Sequence, residues 1–159
     1  MNPEIKILPP KKLVGMRIET SLSDFGSPQL WQKIMPRVKE IEKKIGQEKY
    51  SIQIYNSLFS YSEFNPSIEF TYWAATEVSD FESVPEEMES LELKSGKYAV
   101  FIHNGDMKGF QKTLQYIHLE WLPNSEYDLD HRPHFEKLDE RYLGPQNPES
   151  VEEVWVPIC

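Results

Sequence analysis

A chain of 159 residues with 26 acidic and 17 basic side chains carries a formal charge of −9, a field that repels phosphate backbones and argues against direct nucleic-acid binding. At 39% apolar and 27% charged residues, it is large enough to bury a core without a disulfide or a metal. Mean hydropathy is −0.57, the N-terminus lacks a signal pattern, the only cysteine is Cys159, and no apolar run approaches the roughly 20 residues that cross a bilayer; a cytoplasmic location with no membrane partner is expected.

From the N-terminus, Ile5 to Glu19 reads as extended chain broken by Pro9-Pro10, and Leu13–Glu19 alternates like a half-buried strand. Ser27-Pro28 suits a helix start, with proline at the first helical position. Leu30, Ile34, Val38, Ile41 and Ile45 then recur on one helical face, which predicts a helix running to Gly46. Two strands follow, Tyr50–Tyr55 and Ile68–Val78, the second rich in aromatic and β-branched types, with a loop over Asn56–Ser67. The acidic stretch Asp80–Glu92 reads as a solvated connector.

The same order then repeats. Lys97–His103 is a strand, Asn104-Gly105 a turn, and Phe110, Leu114, Ile117 and Trp121 mark a helical face ended by Pro123-Asn124-Ser125. His134–Leu138 and Val151–Ile158 supply two more strands. The expected fold is therefore α+β and a single domain: two β-α-β-β halves, residues 1–79 and 93–159, joined by connector 80–92. They form an antiparallel sheet with two helices on one face and a groove between the halves. Trp73 and Trp155, 82 residues apart, mark the repeat, and Met16 and Tyr98 share that offset. A seam between duplicated units is a natural place for a cleft.

Signature motifs for nucleotides, phosphates, serine hydrolysis and zinc proteolysis are absent, so no cofactor and no metal is assigned. His131 and His134 flank Pro133, which prevents the helical spacing that a metal pair uses, and a hydrated loop is the better reading. Glu136 draws attention for another reason. If Phe135 points beneath the helices, Glu136 points to the opposite face, either into solvent or into a pocket where a carboxylate would prefer a cationic ligand. By the same alternation Val154, Val156 and Ile158 face the helices while Trp155, and with it Trp73, face away. Phe101 and Tyr55 are placed on that helix-free face too. Indoles on a face that should be wet imply a pocket wall, a second apolar layer or a dimer interface.

Several stretches in order resemble a known family. Tyr72–Val78, Ser95–Gly105 (a G-x-Y-A-x-F-x-H-x-G pattern), Phe135–Tyr142 (F-E-x-Y) and Val154–Ile158 (I-W-I-P-I) are similar to the GyrI-like small-molecule-binding domain, the effector-binding domain of AraC-type and MerR-type regulators. The resemblance implies a groove that takes lipophilic, often cationic, small molecules, with the motif glutamate, here Glu136, inside it. Leu138 stands where the family has a tyrosine, so one hydroxyl is missing unless Tyr142 replaces it. With the whole chain used by this fold, a standalone member is expected that acts through a protein partner or homodimer, if it signals at all.

Three functions follow. One is capture of a lipophilic cation, with Glu136 as counter-charge and Trp73, Trp155, Phe101 and Tyr55 as walls; no residue is then catalytic. A second is a hydrolase with Glu136 as general base. The third is a protein-interaction module that uses the acidic connector or a sheet edge.

Overall fold

The structure, a computed structural model, describes residues Met1–Cys159. Ten elements build it: strands β1 (Glu4–Leu8) and β2 (Lys11–Thr20), helix α1 (Ser27–Ile34), β3 (Lys44–Ile54), β4 (Phe70–Val78), β5 (Glu89–Leu93), β6 (Gly96–Asn104), helix α2 (Met107–Tyr116), β7 (His134–Leu138) and β8 (Val151–Pro157). The strands form one antiparallel sheet in the order β1-β6-β8-β7-β3-β4-β2-β5.

The expected halves are present as β2-α1-β3-β4 and β6-α2-β7-β8. Each is preceded by a short strand that pairs with the other half. Leu8 of β1 lies opposite Gly96 of β6, and Leu93 of β5 lies opposite Lys11 of β2. This reciprocal exchange ties the halves at both sheet edges, and the β3–β7 ladder ties them at the centre. The acidic connector is therefore only partly a loop, because residues 89–93 are a strand.

The first helix is shorter than its periodicity predicts. The α-helix ends at Ile34, residues 35–40 form a 3-10 turn, and the chain is extended at Ile41. Pro36 is the cause, since it lacks an N–H and its ring crowds the preceding turn. Leu30, Ile34, Val38 and Ile41 remain buried, whereas Ile45 is exposed at the start of β3. The second helix starts as its sequence suggests: Asp106 caps it by accepting a hydrogen bond from the Gly109 N–H at 3.0 Å.

Both faces of the sheet are apolar. Under α1 lie Val14, Met16, Tyr72 and Ala74, and under α2 lie Ala99, Phe101, Val154 and Val156. The face without helices holds Leu13, Tyr50, Ile52, Trp73, Tyr98, Phe135 and Trp155 in one cluster. Trp73 and Trp155 are only 5% and 8% exposed there, because the strands of the curled sheet pack their own apolar side chains against one another. The Phe135 ring stacks on Trp155 at 5.1 Å.

Close strand apposition depends on Gly15, where a Cβ would collide with the Ala74 carbonyl and with Ala75. Gly15→Ala is expected to cost about 1–3 kcal/mol, the usual penalty for overpacking a filled interior. The readout is a lower urea midpoint at unchanged slope; an unchanged midpoint would contradict this packing.

Candidate functional site

The two helices cover different strands. Helix α1 packs on β2 and β4, and α2 on β6 and β8, which leaves the helix-side surface of β3 and β7 as the floor of a groove between them. The register of the β3–β7 ladder sets that floor. Ser51 lies opposite Glu136, and Gln53 lies opposite His134. Because Ile52 and Phe135 between them join the cluster on the other face, Ser51, Gln53, His134 and Glu136 all point to the helix side.

Glu136 therefore faces the side opposite to the one its sequence suggested. Alternation separates Glu136 from Phe135 correctly, but it is Phe135 that turns away from the helices. Trp73 and Trp155 do lie on the helix-free face, so the sheet separates them from Glu136. Phe101 is displaced the other way. It sits beneath α2, edge-on to Trp121 at 5.2 Å, and Val100 takes the place expected for it among the tryptophans. Tyr55 lies on the helix side, with its ring among Phe59, Phe64, Phe70 and His134.

Glu136 is 8% exposed and forms no ion pair. Its Oε1 accepts a hydrogen bond from Gln53 Nε2 at 3.0 Å. Burial, and next the charge of Glu152, push its pKa up to about 8, against the opposing pull of Gln53 and Ser51. Glu152 lies on the same face of β8, two residues from Val154, the register partner of Glu136. Burial raises its pKa to about 7. Glu152 thus ionises first, and its charge then resists the ionisation of Glu136.

Tyrosines close around this acid pair. Burial raises the pKa of Tyr55 and Tyr72, and Glu136 adds to both shifts. Tyr142 is pushed up to about 12 by burial, then by Glu152, Tyr72 and Glu136. All three hydroxyls stay neutral at physiological pH. Tyr72 also anchors α1 to the floor: its hydroxyl accepts from Trp31 Nε1 at 2.9 Å and lies 2.6 Å from Ser51 Oγ. At the other end of the groove, Phe59 and Tyr61 of the loop between β3 and β4 reach across to His118, with ring centroids 5.2 and 5.6 Å away. Burial keeps His118 and His134 neutral, at about 4 and about 3, so they add no positive charge beside Glu136 at neutral pH.

Two open depressions lie elsewhere. One of about 460 Å³ is lined by Tyr116, Glu120, Trp121, Asn124 and Ser125. The other, of about 450 Å³, runs beside α1 past Arg17, Phe25, Lys33 and Glu89. Arg17 and Lys33 are already paired there with Glu89 and Glu87.

Sequence reasoning singled out Glu136 and Tyr55, though on the other face of the sheet, and did not single out Ser51, Gln53, Tyr72, Trp31 and Glu152, which stand on the helix side with them. The available signal was parity. Residues 51, 53 and 55 alternate on one side of a strand that also carries Ile52 and Ile54 on the other, so a polar stripe was visible in β3.

Comparison with known proteins gives consistent results. The family model of the GyrI-like small molecule binding domain matches residues 1–158. BrlR, a transcriptional regulator of Pseudomonas aeruginosa, is 31% identical over 159 residues, which is 99% of this chain and 56% of BrlR. The chain thus spans about half the length of that relative. SAV2435, solved bound to tetraphenylphosphonium, superposes with a TM-score of 0.75 at 16% identity, covering 100% of this chain and 94% of that one. The C-terminal domain of EcmrR superposes at 0.68 and 16% identity, covering 99% and 97%.

The raised carboxyl pKa values link stability to pH. In the unfolded chain these groups ionise near 4.5. The native state therefore binds protons that the unfolded state has lost, and stability falls as pH rises from about 4.5 through 8. Glu136→Gln removes most of that loss. Its stability relative to wild type should climb by about 3–5 kcal/mol between pH 5 and pH 9 in urea titrations, since each tenfold change in an ionisation constant is worth about 1.36 kcal/mol. Parallel profiles for the two proteins would show that Glu136 ionises freely.

Proposed function

The chain belongs to the GyrI-like small molecule binding domain family, and on that premise we propose that it captures a lipophilic cation in the groove between α1 and α2, with Glu136 as the counter-charge. One observation carries the reading: Glu136 is a carboxyl group at the groove floor, nearly buried, with no cation of the protein beside it. Such a group is costly to ionise alone and becomes favourable to ionise when a positive charge arrives.

The walls differ from those expected. Tyr55, Tyr72, Tyr142 and Trp31 stand on the helix side with Glu136, and they replace Trp73, Trp155 and Phe101 as candidate walls. Aromatic faces over a desolvated cation contribute about 0.5–2 kcal/mol each. The tetraphenylphosphonium bound to SAV2435 is a ligand of this type. Tyr142 feels the charge of Glu136 and is the hydroxyl placed to stand in for the one that Leu138 withholds. In BrlR the matched region is about half of the protein, so any regulatory output of this chain is a separate proposal and depends on what its ligand-bound form contacts.

Cation capture must expel the proton that Glu136 holds below about pH 8. Tetraphenylphosphonium affinity is therefore expected to rise about tenfold per pH unit from pH 5 to pH 7 and to level off above pH 8. Isothermal titration in buffers of different ionisation enthalpy should report close to one proton released at pH 6. Glu136→Gln should weaken binding at pH 8.5 by at least about 30-fold, the lower end for losing one partner of a buried charge pair. It should also leave only the shallower slope due to Glu152. Equal affinity in both proteins would remove Glu136 from the role.

A further inference from the structure

The polar groups around Glu136 point to a second ligand class. Trp31 Nε1 can only donate, and its acceptor is the Tyr72 hydroxyl at 2.9 Å. Ser27 Oγ also donates to that oxygen, at 3.3 Å. Tyr72 must then pass its own hydrogen to Ser51 Oγ, 2.6 Å away. Ser51 also receives Gln53 Nε2 at 3.4 Å, so its hydrogen is left for the carboxyl that stands opposite it in the ladder, Glu136. Gln53 Nε2 donates to Glu136 Oε1 as well. The chain of hydrogen bonds is poled in one direction, from α1 across β4 and β3 to β7, and it ends on Glu136.

Both protein groups that hydrogen-bond this carboxyl, Ser51 and Gln53, are thus donors to it. The other groups that face it are the neutral Tyr55 just after β3, Tyr72 from β4 and Tyr142 from the segment after β7, together with Glu152 from β8, which acts on it through charge. None of the hydrogen bonds gives the acid form of Glu136 an acceptor for its proton. The other carboxyl oxygen, Oε2, has no protein partner and is not sealed from solvent, so a proton it carries is offered to whatever occupies the groove. The acid form of the site therefore has no protein acceptor, in the same way that the ionised form has no cation of the protein.

We propose that the same groove also binds uncharged lipophiles that present one strong hydrogen-bond acceptor, such as a phosphoryl, ketone or tertiary amide oxygen, which takes the proton of the Glu136 carboxyl. This rests on the groove reading above and extends it. The protein then has two modes at one carboxyl: Glu136 as a donor to a neutral acceptor, and Glu136 as a counter-ion to a cation. The proton that distinguishes them stays on Glu136 in the first mode and leaves to solvent in the second. Burial and the charge of Glu152 favour the first mode near neutral pH.

Triphenylphosphine oxide and tetraphenylphosphonium are suitable probes, since they share aryl groups and differ in charge and acceptor. Equilibrium binding of both to the full chain at pH 6 and pH 9 is the test, in wild type, Glu136→Gln and Glu136→Leu, with thermal melts of each unliganded variant to confirm folding. The oxide should bind wild type about tenfold more tightly at pH 6 than at pH 9, and the phosphonium should show the reverse. Glutamine keeps a donor, so Glu136→Gln should hold the oxide within about threefold of wild type at pH 6 and lose the pH dependence. Glu136→Leu should lose the oxide at least about tenfold. Oxide binding that ignores pH, or that is equal in the glutamine and leucine variants, overturns the donor mode. If the phosphonium alone binds and depends on Glu136, only this inference fails; if neither probe binds, the groove reading fails with it.

Discussion

The antiparallel ladder between β3 and β7 is the interaction on which the rest depends. It is short, running from Lys49 opposite Leu138 to Gln53 opposite His134, yet it makes one sheet out of two halves. Each helix lies over its own half, so the helix side of the joined strands is closed by neither helix but by side chains of the flanking segments, among them Phe59 and Tyr61. The backbone there is satisfied by the ladder, which frees the side chains to be polar without leaving amide groups unpaired. A groove with a polar floor is thus a consequence of joining two half-sheets by their inner strands while each half keeps its helix.

The helix-free face makes that polar floor tolerable. Phe135, Trp155, Tyr98, Tyr50 and Trp73 form a dry cluster directly behind Ser51, Gln53 and Glu136. Its apolar burial holds β3 and β7 together from behind, so the floor needs no apolar packing of its own. The exchanged strands β1 and β5 add the same constraint at the margins. A buried carboxyl with a raised pKa is a local cost to stability, and it is positioned by packing that does not touch it. Side chains held this way have their directions fixed by the packing behind them.

This arrangement also explains what could be read from the sequence. The order of elements was legible because alternation and helical spacing repeat after Lys97 as they run after Lys11. The end of α1 was not, since Leu30 to Ile45 keeps helical spacing while Pro36 forbids the α-helix that the spacing describes. Face assignment failed for a subtler reason. Alternation sorts residues into two sets but labels neither, and the label is normally supplied by one wet face. Here both faces are buried: Val154 and Trp155 are 2% and 8% exposed although they point in opposite directions. With two apolar sets, Phe135 was as good a candidate for the helix side as Glu136, and Phe101 and Val100 could exchange places. The polar alternation of Ser51 and Gln53 in β3 was the better label, because polar side chains on a buried strand mark a groove more directly than aromatics do.

The duplication adds a final constraint. Ile52 pairs with Trp73 in one half as Phe135 pairs with Trp155 in the other, so the residues that follow, Gln53 and Glu136, occupy equivalent positions. Ser51 and His134 are equivalent in the same way. A symmetric floor would carry two acids or two amides. Two acids in this place would repel each other and the nearby Glu152, and two amides would offer no charge. One of each gives a carboxyl whose Oε1 is held by the amide of its own symmetry mate at 3.0 Å. The amide donor keeps the acid oriented in either protonation state, since Oε1 can accept from it whether or not a proton sits on the carboxyl. Divergence of two equivalent residues has given the seam between repeats a single polar direction, which two identical residues related by the pseudo-twofold could not have.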